Sequence, residues 1–539
     1  MKEENLSKIE GALARTTDTK ACIIEAGAVK RTAELFIRMF GNEGNAAVCS
    51  NNSNENDNGP KINGFGCKAI IIADNNTWRV AGEQVFNVLK AAGVEQYEPF
   101  IFTDPDLYAE WKFVEQLKAH LLNLNANECA DNCSENIEET NHTREHIEGA
   151  NHVHEGSEEA NHVQESSEES NLVPEIGQDS NKRQTICIAV GSGVINDLTK
   201  YVSHILGRKY MCVGTAASMD GFTSYGASIT KDGNKQTFDC PAPYAFVMDP
   251  EIAAAAPKEL AASGYADLIA KIPAGADWML AECVGAEDVD PFSWSLVQDG
   301  LRESLSDPEA VFNGNVEKTE ALCEGLLMSG FAMQALQSSR PASGTEHQFS
   351  HCWDMEALSY PNGKHVSHGF KVGIGTLVST ASWEFLLEKD LEHIDIDSIV
   401  ALWPEWNELE RHISRVCEGK PGHKARCLKE TKAKYVTKEE LHRQLKNVKE
   451  NWGELRERVK AQIIPFKQVH ESLRKVGAPY EPEMICVSRE RLRRTFSYIP
   501  FMRSRFTNID IIYRLGLLSE LEERLFGKGG IWEIPTVQA

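Results

Sequence analysis

A chain of 539 residues that is 42% hydrophobic can bury a sizeable core and is expected to hold more than one domain. Its 56 Lys plus Arg stand against 80 Asp plus Glu, a net charge of −24, which argues against nucleic acid or an anionic membrane surface as a partner. The opening MKEENLSKIE has no basic region before an apolar stretch and no run of roughly 18 apolar residues follows, so a soluble cytoplasmic protein without membrane insertion is expected; the 14 Cys, scattered through apolar runs, suit reduced thiols rather than disulfides.

In chain order, Ala21 to Ala26 reads as a short strand and Ala33 to Phe40 as a helix. A low-complexity insertion follows from Gly41 to Gly64, and then a strand from Lys68 to Ala73 that ends at Asp74. Val80 to Ala92 has helical periodicity, Tyr97 to Phe102 is extended, Leu107 to Leu124 is helical, and Thr185 to Val190 is another apolar strand. Residues 125 to 183 are a second insertion, with 15 acidic side chains against three basic ones and a ten-residue repeat starting at Asn141, Asn151, Asn161 and Asn171. Such a repeat has too few large apolar side chains to offset backbone ordering, so a solvated loop expansion is expected, its histidines (His142, His146, His152, His154 and His162) a weak metal-binding alternative. Strand and helix alternating in this way predict a parallel sheet with helices on its faces.

The strand TICIAV runs directly into GSGVINDLTKYV, which places Gly191 and Gly193 where a sheet strand turns into a helix N-terminus. Exposed backbone N–H groups and the positive end of the helix dipole favour a pyrophosphate there. The dinucleotide fingerprint is incomplete, because Asn196 and Asp197 follow in place of its third glycine. Asp74 is suitably placed to accept hydrogen bonds from a ribose diol, which leans towards NAD over NADP. The next strand, YMCVG, leads into Thr215, Ala216, Ala217 and Ser218, small enough to let a ligand approach the backbone, and then to Asp220.

After about Asp249 the pattern becomes helical: Pro257 to Lys271, Val316 to Gln337, Ser367 to Glu388 and Lys438 to Arg474. Residues 1–249 are therefore expected to form a nucleotide-binding α/β domain, and 250–539 a helical domain for metal and substrate. In that half Asp267 stands amid apolar text, where a buried carboxylate needs a cation or donors. His347 and His351 are four apart on one helical face, and His368 follows. Two or three imidazoles with a carboxylate suit Zn²⁺ or a similar divalent ion. The basic stretch from Ser488 to Phe506 reads as a solvated helix face.

The combination GSGVINDLTKY, VGTAASMDGFTSYGAS, GYADLIAKIPAGADW, RPASGTEHQFSHCWDM and SHGFKVGIG resembles the sn-glycerol-1-phosphate dehydrogenase family, most closely its bacterial AraM-type members. The resemblance implies the dehydroquinate synthase-like fold shared with iron-dependent alcohol dehydrogenases: a Rossmann-like parallel-sheet domain followed by an all-α domain around a metal. It implies NAD(H) or NADP(H) contacts from Gly193, Val194, Ile195, Asn196 and Asp197, from Thr215 through Ser218, and from Ser224. It implies metal ligation by Asp267, His347 and His368, with Zn²⁺ or Ni²⁺ as the ion, and leaves Asp220, Asp267 and His351 facing the substrate. His365 is an alternative ligand three residues before His368; the Gly369 that follows decides for His368. The implied activity is reversible reduction of dihydroxyacetone phosphate to sn-glycerol 1-phosphate, a step of phospholipid metabolism, by a homodimer. Lys271 and Lys371 are candidates for holding the substrate phosphate. Competing readings are a dehydroquinate synthase-like cyclase, a polyol or alcohol dehydrogenase of the same fold, and a non-catalytic binder acting through the acidic His-containing repeat.

Overall fold

The computed structural model describes residues 2–41, 67–135, 184–232 and 234–535. Its strands are β1 (Ala21–Ile24), β2 (Cys67–Asp74), β3 (Phe100–Phe102), β4 (Gln184–Gly191), β5 (Tyr210–Gly214), β6 (Ala227–Lys231), β7 (Asn234–Phe238) and β8 (Ala245–Met248). Six of them form one sheet in the order β1-β8-β5-β4-β2-β3, every pairing parallel. Helices cover both faces, so these strands read as continuous apolar runs instead of alternating ones. Ile70, Ile72, Cys187, Ala189, Cys212 and Phe246 enter one core; Ile71, Ile188, Val190, Met211, Val213 and Val247 enter the other. The first core is continuous with that of the helical half, so the sheet and the helices after it share buried side chains.

The expected fold class stands: a parallel α/β portion followed by a helical one. Several elements differ from expectation. A first helix, Lys2–Arg15, and the antiparallel β6–β7 hairpin have no counterpart in the periodicity reading. The helix expected to stop at Leu124 spans Trp111–Glu135, since no Gly or Pro stands within that stretch to end it. The repeat from 141 onward and the Gly41–Gly64 insertion (apart from Gly41 itself) lie outside the described residues. The long helix expected from Lys438 to Arg474 is two helices, Lys438–Gln462 and Phe466–Val476. Pro465 explains the break, because it lacks an N–H and forces Ile464 out of helical geometry.

Close packing at two glycines positions the site-bearing helices. A Cβ on Gly264, in the helix Lys258–Ile269, would overlap the Ala217 carbonyl oxygen. One on Gly369, in the first turn of the helix His368–Leu387, would overlap the carbonyl oxygen of Ser263. The helix carrying Asp267 thus lies directly against both the loop after β5 and the helix that begins at His368. Among the described residues the cysteines carry free thiols, and no helix is long and apolar enough to cross a membrane.

Candidate metal and nucleotide site

Three chain segments converge. The helix Lys258–Ile269 carries Asp267 near its C-terminal end, the helix Thr345–Met355 carries His347, and His368 opens the helix His368–Leu387. One donor atom from each lies within 4.8 Å of the others. Asp267 is fully buried and His347 is 7% exposed. Burial pushes both imidazoles down, to about 3, with the Lys271 ammonium adding to the effect at His347. They are therefore neutral near pH 7 and have a lone pair to give. Asp267 is held well below the ordinary carboxylate range: burial opposes ionisation, but Lys271, His368 and His347 outweigh it.

His347 Nδ1 lies 2.8 Å from Glu346 Oε1, which turns Nε2 towards Asp267 Oδ1, 3.8 Å away. Glu346, itself buried, is fixed by the Gly344 N–H. A carboxylate behind a ligating imidazole fixes its tautomer and raises its basicity. An ionised carboxylate and two neutral imidazoles, one of them braced in this way, fit a divalent cation with a position left open.

Lys271 is the second feature of this centre. Its Nζ stands 2.7 Å from Asp267 Oδ1 and 2.8 Å from Asp220 Oδ2. Asp220 also accepts from Ser329 Oγ at 2.9 Å, and its backbone N–H donates to Asp267 Oδ2 at 3.1 Å. Asp220 is thus part of the buried charge network beside Asp267. Lys371 is likewise engaged, bonded to Asp354 and to the Val366 carbonyl. Both lysines considered for phosphate binding already have carboxylate partners.

His351 shares the helix of His347, their ring centroids 6.4 Å apart, yet it stands outside the donor cluster. Its Nε2 accepts from Arg503 Nη2 at 2.7 Å, and burial together with that guanidinium holds it well below its ordinary pKa. His365 is elsewhere, stacked on Tyr108 with centroids 4.2 Å apart.

On the sheet side, Ile72 pairs with Ala189, so Asp74 and Gly191 end neighbouring strands at the same edge. Thr215 N–H donates to the Gly191 carbonyl at 3.1 Å, joining the turns that follow β4 and β5. The helix Gly193–Ile205 starts after Ser192, which makes no side-chain capping bond, so its first N–H groups are open to an anion. A Cβ on Gly191 would overlap Ile195, whose side chain is in the core. Within that turn Val194 is half-buried, and Asn196 points inward, its Oδ1 accepting from Tyr210 Oη at 3.1 Å. Asp197 accepts from Ser228 N–H at 3.2 Å, and its carboxyl is raised by burial against the pull of Lys200. Ala216, Ala217 and Ser218 are buried in the adjoining loop. Ser224 Oγ donates to the Gly221 carbonyl at 3.1 Å. Asp74 caps the turn that follows it, its Oδ1 accepting from Asn76 and Thr77 N–H groups. Residues that fit a pyrophosphate and a ribose are therefore present, with backbone donors supplied by the helix start and a carboxylate one strand away.

Three groups escaped the sequence reading. Lys200 Nζ donates to the carbonyls of Gly221, Ser224 and Gly226, each at 3.0 Å, and shapes the loop after Asp220. Glu346 had a visible signal, its place beside His347. Arg503 and Arg505 lie outside the helix Arg489–Phe496 that accounts for most of the basic stretch. Within that helix Arg489, Arg491 and Arg493 pair with Glu483, Glu356 and Glu522 as surface or half-buried ion pairs.

Residues 129–257 match the family described as iron-containing alcohol dehydrogenase. The chain is 30% identical over 331 residues to a glycerol-1-phosphate dehydrogenase of Geobacillus stearothermophilus, covering 61% of this chain and 72% of that protein. It is 32% identical over 235 residues to one from Halalkalibacterium halodurans, covering 44% of this chain and 58% of that protein. It is 37% identical over 191 residues to one from Pyrococcus furiosus, covering 35% of this chain and 54% of that protein. The aligned part thus spans less than two thirds of two of these relatives. With that likeness added to a carboxylate and two imidazoles gathered beside the loop after β5, the chain belongs to the glycerol-1-phosphate dehydrogenase family.

Proposed function

We propose that this chain is an NAD(P)H-dependent oxidoreductase that reversibly reduces dihydroxyacetone phosphate to sn-glycerol 1-phosphate. The observation that carries the reading is the convergence of Asp267, His347 and His368 to within 4.8 Å in a chain whose relatives bear that enzyme's name. A divalent ion bound there supplies Lewis acidity for the ketone oxygen, and the nicotinamide supplies the hydride. The protein's own part is positioning and charge. Glu346 holds the His347 ring, and the Asp220–Lys271–Asp267 chain fixes the carboxylate that faces the carbonyl. Water is excluded by the burial of Asp267. Gly191, Gly193, Val194, Asp197 and Thr215 through Ser218 are assigned to the cofactor through their backbone, with Asp74 at the ribose. His351 is assigned to the substrate side; being neutral, it can hold a substrate hydroxyl through whichever nitrogen Arg503 leaves free. The domains assigned are 1–249 for nucleotide and 250–539 for metal and substrate, acting as a cytoplasmic homodimer.

One spectrophotometric experiment tests this. Oxidation of NADH or NADPH should depend on dihydroxyacetone phosphate and stop with a chelator, returning when Zn²⁺ or Ni²⁺ is restored. Absence of turnover with either cofactor and either metal would sink the proposal. Removing residues 136–183 should leave turnover intact, which separates an enzyme from a binder working through the acidic repeat.

A further inference from the structure

A small cavity of about 70 Å³ adjoins the donor cluster, lined by His347, Gln348 and His351 on one side and by Arg503, Ser504 and Arg505 on the other. We infer that Arg503 and Arg505, with Gln348, form the subsite that grips the substrate's phosphate. This inference rests on the proposed function and adds the residues that select a phosphorylated substrate.

The arginines are held in place but spend little of their charge. Arg503 donates to the neutral imidazole of His351. Arg505 donates to the Ser343 carbonyl at 2.9 Å, to the Ser343 hydroxyl and to Ser339 Oγ at 2.8 Å. Every one of these acceptors is uncharged. Glu430, the one carboxylate lining the cavity, accepts from the Ser504 backbone N–H at 2.8 Å, and it faces the charges of Arg503 and Arg426. Arg426 Nε is buried without a partner.

Burial, then Arg340 and Arg503, push Arg505 down to about 9 against the pull of Glu287 and Glu346; burial and Arg426 push Arg503 down to about 10 against that of Glu430. Arginine does not shed its proton in proteins, so the directions mark guanidinium charges held away from water, which an anion bound between them would compensate. Gln348 is 2% exposed; its Nε2 donates to the Arg505 carbonyl at 3.4 Å, which leaves the second N–H of the same amide for the cavity it lines. A cavity of this volume holds several waters or one tetrahedral group, and planar guanidinium forks suit a phosphate. Dihydroxyacetone phosphate is only three carbons long, so its carbonyl and its phosphate must occupy one continuous space. His347 borders both ends of it. The two lysines considered from the sequence, Lys271 and Lys371, are already bound to carboxylates.

The test uses the full chain loaded with Zn²⁺. Inorganic phosphate should compete with dihydroxyacetone phosphate and not with NAD(P)H, which distinguishes this pocket from the cofactor's pyrophosphate site. Arg505→Met should raise KM for dihydroxyacetone phosphate about 10- to 100-fold, abolish phosphate competition, and lower the kcat/KM ratio of dihydroxyacetone phosphate to unphosphorylated dihydroxyacetone by a similar factor. Arg505→Lys keeps a point charge and should restore part of the loss, which covers the case in which the Met variant does not fold. An unchanged KM and unchanged phosphate competition in variants that melt like the wild type would overturn the subsite. If the wild type ignores dihydroxyacetone phosphate, calorimetric titration with inorganic phosphate still decides. Binding that Arg505→Met abolishes upholds the pocket and sinks the proposed function, whereas no binding by the wild type overturns the pocket.

Discussion

Glu346 Oε1 lies 2.8 Å from His347 Nδ1, on the side of the ring opposite Asp267. The carboxylate leaves His347 only one nitrogen for a cation and fixes where it points. Its other oxygen, Oε2, is buried with no hydrogen-bond partner, so the group is retained for its contact with the ring and with the Gly344 N–H rather than for a full set of bonds. Glu346→Gln should therefore weaken divalent-metal affinity by about 10- to 100-fold with little change in fold. Competition against a chromophoric chelator measures this directly, and equal affinity in the two proteins would refute the bracing role.

Lys271 sits between two buried carboxylates, 2.7 Å from Asp267 and 2.8 Å from Asp220. Its ammonium is held charged by Asp220 and Asp267 against a burial penalty that acts the other way. Removing one member of a buried ion group leaves the others uncompensated, a loss of about 3 kcal/mol or more. Lys271→Met should lower the melting temperature of the metal-free protein, and added Zn²⁺ should raise it by more than in the wild type, because the ion then supplies the missing positive charge. A variant whose apo stability and metal-induced shift both match the wild type would show that Lys271 carries no such charge balance.

Much of this centre is legible in the linear text, for local reasons. Asp267 stands out because a carboxylate among Leu268, Ile269 and Ala270 has nowhere polar to go. His347 and His351 announce a shared helical face by their spacing. What spacing leaves open is which nitrogen faces which neighbour: His351 is turned to Arg503, 152 residues on, a contact created only by packing the C-terminal segment against the helix Thr345–Met355. The same limit hid Arg503 and Arg505. In the text they continue a basic run with Arg489, Arg491 and Arg493, but the helix ends at Phe496, and the turn that follows carries the last two arginines inward. Strand β8, of four residues, has no counterpart in the periodicity, whereas β2 and β4, eight residues each, are unmistakable apolar runs.

Gly369 supports the site through space alone. Its Cα faces the Ser263 carbonyl so closely that an added methyl group has no room, and the obstacle is backbone that cannot swing away. Gly369→Ala should push the helix starting at His368 away from the one carrying Asp267, at a cost on the order of 1–3 kcal/mol for overpacking. His368 is the adjacent residue, so metal stoichiometry should fall along with thermal stability. A stable variant that retains one tightly bound ion would mean the two helices can part without moving the ligand.

Asp354 serves two ammonium groups at once: the buried Lys371, bonded to it directly, and the half-buried Lys235, at 3.7 Å. Burial is the largest effect on Lys371, followed by the attraction of Asp354, the repulsion of Lys235 and the hydrogen bond to Asp354; together they lower it from 10.5 to about 8. Below pH 8 both folded and unfolded chains carry this proton, and the folded state bears the whole penalty. Between about 8 and 10.5 the unfolded chain is protonated where the folded one is not, so this group's contribution to stability rises with pH. The full change is on the order of 3 kcal/mol, at 1.36 kcal/mol per pKa unit. Urea unfolding at several values between pH 7.5 and 10 should show the wild type gaining on Lys371→Met by roughly 2–3 kcal/mol across that window. A difference that stays flat, or that runs in the opposite direction, would mean Lys371 keeps its proton and that Asp354 attracts it more strongly than burial and Lys235 oppose it.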